Sequence, residues 1–126
     1  DVFSPCALGG SLNGDTIPLI KAPVIAGSAN NVLLDEDVHG KMIMDRGIIY
    51  CPDFVINAGG IINVYHEIHG YNRDRALADA TRIYDRLLEI LAIAEREHIP
   101  SQQAAKVFAQ QRIEAIHQLK RTYIPR

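Results

Sequence analysis

The length, composition and charge of this chain predict one globular unit and argue against several classes of partner. With 126 residues, 48% of them hydrophobic, the chain is long enough to build a core. Its formal net charge of −2 gives no basic field for nucleic acid. It has no apolar run of the ~18 residues that span a bilayer and no signal-peptide pattern, so we expect a cytoplasmic protein with no membrane partner.

Three short apolar segments in the first half of the chain predict strands of a parallel sheet. No hairpin turn joins them, and a helical segment lies between each pair. The order strand, helix, strand, helix, strand indicates right-handed parallel crossovers. We therefore predict an α/β fold, the C-terminal half of a Rossmann-like doubly wound parallel sheet of about three strands, followed by long C-terminal helices. The predicted strands are residues 1–3, 23–27 and 48–50.

Two helices are predicted between these strands. Asp15 or Thr16 can cap a short helix that tolerates Pro18 in its first turn. Residues 36–45 alternate charged and apolar residues at helical spacing, and Gly47 is expected to end that helix as its C-cap. In this second helix the residues expected to face the core are Val38, Met42 and Met44.

From residue 55 the chain is predicted to be helical to its end. The predicted helices are residues 55–69, a long helix that Asn72 caps and that ends at His98, and a third that starts at Ser101. Apolar residues recur at the i, i+3, i+4 spacing, so each helix is expected to bury one stripe. The expected inward residues are Ile61, Val64, Tyr65 and Ile68; Leu77, Ala80, Tyr84, Leu87, Leu88 and Leu91; and Ala105, Phe108, Ile113, Ile116 and Leu119.

The start of the chain lacks the features that open a dinucleotide-binding domain, which are a first strand and a glycine-rich phosphate loop. The run GGSLNG at residues 9–14 has its glycines at the wrong positions, and we interpret it as a flexible turn. We interpret the chain as the C-terminal piece of a larger enzyme. Residues 1–70 would be the second half of the nucleotide-binding domain, and residues 71–126 a C-terminal helical segment.

The cysteines and histidines do not predict a metal site. Cys6 and Cys51 each follow a predicted strand, and in a chain without a secretory signal we expect reduced thiols. His66 and His69 are three residues apart, whereas the zinc motif of metalloproteases places its histidines four apart. We expect both histidines to be solvated near the C-terminal end of their helix.

Two polar motifs follow the predicted strands, where open parallel sheets bind ligands. GSANN at residues 27–31 carries carboxamides, which complement a nicotinamide carboxamide or a substrate carboxylate, although Asn30 and Asn31 fit a simple turn equally well. NAGG at residues 57–60 places glycines near a helix start, where each costs about 1 kcal/mol relative to Ala in a helix interior. Tight helix packing explains that cost slightly better than the approach of a ligand to the helix backbone.

Three motifs in this order closely resemble the C-terminal part of the leucine dehydrogenases, within the glutamate, leucine, phenylalanine and valine dehydrogenase family. They are SPCALGG at residues 4–10, VIAGSANN at 24–31 and GIIYCPDFVINAGGIINV at 47–64, and the likeness continues to about Leu119. It implies NAD-dependent oxidative deamination of an L-amino acid to a 2-oxo acid and ammonia, in a homo-oligomer. It also implies that the substrate domain, the catalytic lysines and the dinucleotide fingerprint lie outside this sequence, so no catalytic residue is expected here.

The resemblance also assigns binding roles. Asn30 matches an amide that faces both the nicotinamide and the substrate carboxylate, while Ile61 and Val64 match positions that line the substrate side-chain pocket. Two aliphatic residues suit leucine, valine or isoleucine, because a charged substrate would be left unpaired. Phenylalanine dehydrogenase, or a non-catalytic module that binds a nucleotide or amino acid, is the alternative. Tyr65 and His66 replace smaller residues of the family. The cofactor-binding residues implied are Ala7, Leu8, Asn30, Asn57, Ala58 and Gly59.

Overall fold

The computed structural model describes the backbone of residues 1–122 and the side chains of residues 1–119. It confirms the predicted α/β fold, with three short strands followed by long helices. Among the described residues no helix has both the length and the apolar character needed to cross a membrane. The elements are β1 (Val2–Phe3), a 3-10 helix (Ile17–Leu19), β2 (Val24–Ile25), α1 (Glu36–Asp45), β3 (Ile49–Tyr50), α2 (Asp53–Ile56), α3 (Gly59–Ile68), α4 (Arg73–Glu97) and α5 (Ser101–Thr122).

The three strands form a parallel sheet in the order β1-β2-β3. Phe3 pairs with Ile25, and Ile25 pairs with Tyr50, so the strands end in register. Ile25 is fully buried, which explains its place in a continuously apolar run. Because parallel strands end at the same edge of a sheet, the loops after β1, β2 and β3 meet there.

Helix α1 has the predicted bounds but buries a different face. Asp35 caps it by accepting a hydrogen bond from the Val38 amide at 2.8 Å, yet the Val38 side chain is 61% exposed. The buried positions are His39, Gly40 and Ile43. The prediction was wrong for Val38, whereas Met42 packs partly buried against the sheet core as predicted. Gln102 of α5 packs over Gly40, where a Cβ atom would lie 1.6 Å from the amide nitrogen of Gln102, so α5 covers a face of α1 that the sequence pattern did not indicate.

The glycine run at residues 9–14 is not the flexible turn that we predicted. Leu12 is fully buried and forms an isolated parallel bridge with Leu33. The amide of Leu12 donates to the Val32 carbonyl at 2.8 Å, and the amide of Leu34 donates to the Leu12 carbonyl at 3.0 Å. This segment therefore holds the chain after β2 by backbone pairing, a long-range contact that turn residues do not reveal.

The predicted helix at residues 55–69 is two helices, α2 and α3. It starts earlier, at Asp53, and it breaks around Ala58. The amide of Ala58 donates to the carbonyl of Val55, three residues back instead of four, so the first helix tightens and stops. Asn57 and Ala58 thereby occupy a corner between two helices, which exposes them to ligands more than a helix interior would.

Much of the predicted apolar stripe on the three C-terminal helices is exposed. Helices α4 and α5 pack through Ile90 and Ile93 against Ala104 and Ala105, and of these only Ala105 had been predicted to face inward. The periodicity indicates correctly that each helix has an apolar stripe, but tertiary structure decides which residues of the stripe are buried. The predicted inward residues that are exposed instead are Ile61, Val64, Tyr65, Ile68, Leu77, Tyr84, Leu88, Ile113, Ile116 and Leu119.

Candidate functional site

An open cleft of about 380 Å³ lies at the carboxyl edge of the sheet. It forms where the loop after β2 approaches the corner between α2 and α3. Its polar lining comes from amide and hydroxyl groups, and its apolar lining from an aromatic ring and an aliphatic side chain. The lining residues are Ser28, Asn30, Phe54, Asn57, Ala58 and Ile61.

The two predicted amides, Asn30 and Asn57, meet in this cleft. The Nδ2 group of Asn57 donates a hydrogen bond to Oδ1 of Asn30 at 2.5 Å, although the residues are 27 positions apart. Within the described part of the chain, the Nδ2 group of Asn30 and the Oδ1 atom of Asn57 make no hydrogen bond. The pair therefore presents one donor group and one acceptor, which complement a carboxamide, while the donor alone suits a carboxylate.

Backbone contacts between two loops hold Asn30 in place. The amide of Ala29 donates to the Pro5 carbonyl at 3.1 Å, and the amide of Gly10 donates to the Asn31 carbonyl at 2.8 Å. Asn31 adopts a left-handed backbone conformation with φ of 51°, as a turn residue does. Asn31 therefore makes a turn, while the Asn30 side chain lines the cleft, and a binding role for Asn30 stays a prediction.

Asp53, which we did not single out from the sequence, joins α2 to this loop. Its buried carboxylate accepts hydrogen bonds from the amide of Val32 at 3.2 Å and from the hydroxyl of Tyr50 at 3.3 Å. Burial and the Asp53 charge raise the pKa of Tyr50 well above its usual value. The signal available in the sequence was an acid at the start of a helix, directly after a strand and a proline.

Gly59 and Gly60 are not explained by tight helix packing, which we had slightly favoured. Apart from the adjacent residues and the backbone of α3 itself, no heavy atom of the described residues lies within 4 Å of a Cβ added at either glycine. Ala58 lines the cleft and α3 begins at the next residue, so the first amides of α3 lie beside the cleft. An open backbone at the positive end of a helix favours the alternative, the approach of a ligand.

Of the other predicted site residues, Ile61 lines the cleft, whereas Ala7, Leu8, Gly59 and Val64 do not. Ala7 and Leu8 are exposed in the loop after β1. Ile61 lines the cleft and is 72% exposed, whereas Val64 lies one turn further along the same helix and is 50% exposed. Three of the six cleft residues, Asn30, Asn57 and Ala58, were predicted cofactor contacts, and Ile61 was a predicted substrate contact.

The two cysteines are free, as predicted, but they differ in environment. Cys6 is exposed, and hydrogen bonds from Ser28 and Ser4 lower its pKa to about 7. Cys51 is buried, and burial raises the pKa of its thiol. Ser28 also lines the cleft, so the Cys6 thiol belongs to the same edge of the sheet.

The prediction that both histidines are solvated was wrong for one of them. His69 is exposed, but His66 is buried, and its Nε2 atom lies 2.9 Å from Oδ2 of Asp79 on α4. Helix α4 packs along α3 and covers the face that carries His66, which no local pattern could reveal. In the described part of the chain, no group of three or more His, Cys, Asp or Glu side chains is arranged to hold a metal ion.

Comparison with known proteins places this chain and its fold among amino acid dehydrogenases. Residues 1–121 match a family model described as Glutamate/Leucine/Phenylalanine/Valine dehydrogenase. The chain is 50% identical to a leucine dehydrogenase of Thermoactinomyces intermedius over 124 residues, which are 98% of this chain and 34% of that protein. It is also 50% identical to a valine dehydrogenase of Streptomyces coelicolor over 113 residues, which are 90% of this chain and 31% of that protein.

A solved structure shares the fold closely. The crystal structure of L-tryptophan dehydrogenase from Nostoc punctiforme superposes with a TM-score of 0.89 at 49% identity, covering 91% of this chain and 34% of that one. The chain thus spans about a third of the length of these relatives. Relatives that are equally similar carry the names of three different amino acids, so overall similarity does not identify the substrate.

Proposed function

This chain belongs to the glutamate/leucine/phenylalanine/valine dehydrogenase family, and on that premise we propose that it is the C-terminal segment of an NAD-dependent L-amino-acid dehydrogenase. The observation that supports this most is the hydrogen-bonded pair of Asn30 and Asn57 in an open cleft at the carboxyl edge of a parallel sheet. Such an edge is where open α/β sheets bind their ligands. In this proposal the pair receives the nicotinamide and the carboxylate of the substrate.

The residues of the cleft fit a nicotinamide cofactor. The unpaired Nδ2 group of Asn30 can donate to the carboxamide oxygen of the ring or to the substrate carboxylate. The acceptor of Asn57 suits an amide N–H of the same ring, while Ala58 and Gly59 leave the backbone accessible. Ala7 and Leu8 remain proposed neighbours of the cofactor at the rim. Bound NAD would supply the acceptor for the hydride that leaves the amino acid.

We propose a branched-chain substrate on the basis of the aliphatic wall at Ile61 and Val64. Both side chains are exposed on one face of α3, and Ile61 borders the amide pair. Burial of an aliphatic substrate against them is favourable, whereas a charged side chain would lose its hydration without gaining a partner. In this proposal the full-length protein oxidatively deaminates leucine, valine or isoleucine to the 2-oxo acid and ammonia, and the aliphatic wall supports the choice of substrate.

An aromatic amino acid is the second candidate. The support for this candidate is that the L-tryptophan dehydrogenase of Nostoc punctiforme is as similar to this chain as the leucine dehydrogenase of Thermoactinomyces intermedius is. Ile61 is 72% exposed, so the chain supplies one wall of the pocket and residues outside this chain set its depth. Phenylalanine and tryptophan therefore belong in the same assay as leucine.

The test is steady-state kinetics of the full-length protein that carries this chain. We expect NADH formation with a kcat/KM for leucine at least about tenfold above that for phenylalanine or tryptophan, since pocket fit is worth about 1 to 3 kcal/mol. A preference for either aromatic substrate would overturn the branched-chain proposal. Absence of NADH formation with all of the amino acids named would overturn the dehydrogenase proposal itself.

A pair of asparagine variants tests the cleft. Asn30→Ala removes the free donor, and we expect the kcat/KM for NAD to fall about 10- to 100-fold, the range for hydrogen bonds to charged or polarised groups. Asn63→Ala is the matched control, because the Asn63 side chain bonds Glu67 within α3 at 2.7 Å and does not line the cleft. Equal kinetics of the two variants would count against the cleft as the cofactor site.

A further inference from the structure

Helix α3 is attached to the rest of the chain by a polar contact. Among its described residues, His66 is the one that is buried, at 8% exposure. Its Nε2 atom lies 2.9 Å from Oδ2 of Asp79 on α4, and Oδ1 of Asp79 accepts from Arg82 at 2.9 Å. The pocket candidates Ile61 and Val64 are on the same helix, and neither is held by apolar burial.

The two faces of α3 are related by the geometry of the helix. Successive residues turn by about 100°, so Val64 and His66 differ by about 200° and lie on opposite faces, and Ile61 differs from His66 by about 140°. The face with His66 packs on α4, and the face with Ile61 borders the cleft. A rotation of α3 about its axis would therefore move the aliphatic wall and the hydrogen bond together.

A hydrogen bond fixes such a rotation better than the apolar contacts that α3 has. A hydrogen bond weakens steeply when the angle at the donor hydrogen falls below about 120°. The hydrophobic effect is non-directional, so partly exposed apolar side chains can shift with little loss of free energy. Tyr65 adds an edge-on contact with the His66 ring, with centroids 5.6 Å apart and planes at 85°. Arg82 donates to the other oxygen of the Asp79 carboxylate, which gives that carboxylate a second contact within α4.

We propose that His66 is a positioning residue, whose hydrogen bond to Asp79 fixes the rotation of α3 and thereby places Ile61 at the cleft and Val64 one turn beyond it. This proposal deepens the proposed function, and it rests on that function for the claim that Ile61 and Val64 contact a substrate. The anchoring of α3 itself does not depend on which molecule binds. The two parts are therefore measured separately.

The first experiment uses kinetics of the full-length protein with leucine and NAD. His66→Phe keeps a buried ring but removes the hydrogen bond, and Asp79→Ala removes the acceptor. We expect each to raise the KM for leucine about fivefold while kcat and the KM for NAD stay within about twofold, since the wall is displaced and the cofactor amides are not. A loss of folded protein alone would instead lower the apparent kcat and leave both KM values unchanged.

Three further variants make the result specific. The double variant should be no worse than either single one, because both remove the same interaction. His66→Gln retains an N–H donor and should restore a KM for leucine near that of the wild type. Arg86→Ala is the matched control, because it breaks an ion pair with Glu89 within α4 and a contact with the Phe108 ring of α5, and neither partner lies on α3. Additive effects in the double variant, or an equal KM change in Arg86→Ala, would overturn the proposal.

The second experiment needs no activity. Hydrogen–deuterium exchange of the full-length protein should show faster amide exchange in residues 59–68 for His66→Phe and Asp79→Ala, with unchanged exchange in residues 24–31. Unchanged exchange in residues 59–68 would overturn the anchoring. If the wild type oxidises no amino acid, the proposed function fails while this measurement still decides whether His66 anchors α3. If His66→Phe does not fold, Asp79→Ala and His66→Gln carry the same comparison.

Discussion

The sheet half and the helical half of this chain bury apolar side chains to very different degrees. Around the sheet, one core cluster contains Leu12, Ile17, Ile25, Val32 and Ile43, all nearly inaccessible to solvent. The helical half has a small cluster between α4 and α5, while most of its predicted stripes stay exposed. Exposed apolar faces of this extent mark surfaces for interaction. The amide-lined edge is thus held by contacts within the described chain, whereas Ile61 and Val64 lie exposed on the half with little apolar burial.

The largest expected effect contrasts one buried and one exposed isoleucine in the 126-residue chain. Ile25→Ala should lower the free energy of unfolding by about 4 kcal/mol, because it leaves a cavity in the sheet core. Ile113→Ala, at a side chain that is 62% exposed, should cost less than about 0.5 kcal/mol. Urea denaturation followed by circular dichroism measures both. Equal losses would show that the two halves are not different in the way described.

A glycine pair tests the rigidity of the cleft edge. A Cβ atom at Gly27 would lie 2.1 Å from the Pro5 carbonyl oxygen, so Gly27→Ala should cost about 3 kcal/mol through displacement of the backbone. At Gly14 no atom of the described chain lies within 4 Å of an added Cβ, and Gly14→Ala should change stability by less than about 0.5 kcal/mol. Thermal unfolding of both variants measures this difference in stability. An unchanged melting temperature for Gly27→Ala would mean that the loops after β1 and β2 are loosely packed against each other.

The phenol of Tyr50 should make the sheet half sensitive to alkali. Its pKa is raised in the folded state, so its contribution to stability is complete below the unfolded value of about 10 and is lost as the pH rises toward the folded value. We expect Tyr50→Phe to show a smaller fall in melting temperature between pH 9 and about 11.5 than the wild type does. Tyr84→Phe, at an exposed ring, serves as the control and should retain the wild-type fall.

The smallest effect on stability is expected at the cysteines, where reactivity is the better measurement. Cys6 is exposed and its pKa is lowered to about 7, so iodoacetamide should modify it readily near pH 7.5. Cys51 is buried, with a raised pKa, and should react only after unfolding. Mass spectrometry of the alkylated chain gives the order of modification. A Cys6→Ser variant should leave no rapidly alkylated thiol, and a fast reaction at Cys51 would contradict its burial.

Prediction from the sequence succeeded where structure depends on neighbouring residues. The bounds of α1 and the Asn72 cap of α4 follow from capping and helical spacing. As expected of a cap, the Asn72 side chain accepts a hydrogen bond from the backbone amide of Arg75 at 2.9 Å. The family resemblance assigned Asn30 and Asn57 to the same cofactor, but the hydrogen bond between them was not predicted. The burial of His66 was not predictable, because its partner Asp79 lies on another helix.

By itself, the sequence determined the parallel α/β order, the bounds of α1 and α4 and the polar residues that follow each strand, since these depend on local propensity and on the periodicity of apolar residues. Tertiary structure decided which face of α1 is buried and that His66 joins two helices. It also placed Asn57 at a corner where its side chain meets Asn30. The physical reason is that burial and long-range hydrogen bonds depend on which elements come together, and a residue's neighbours in sequence do not specify its neighbours in space.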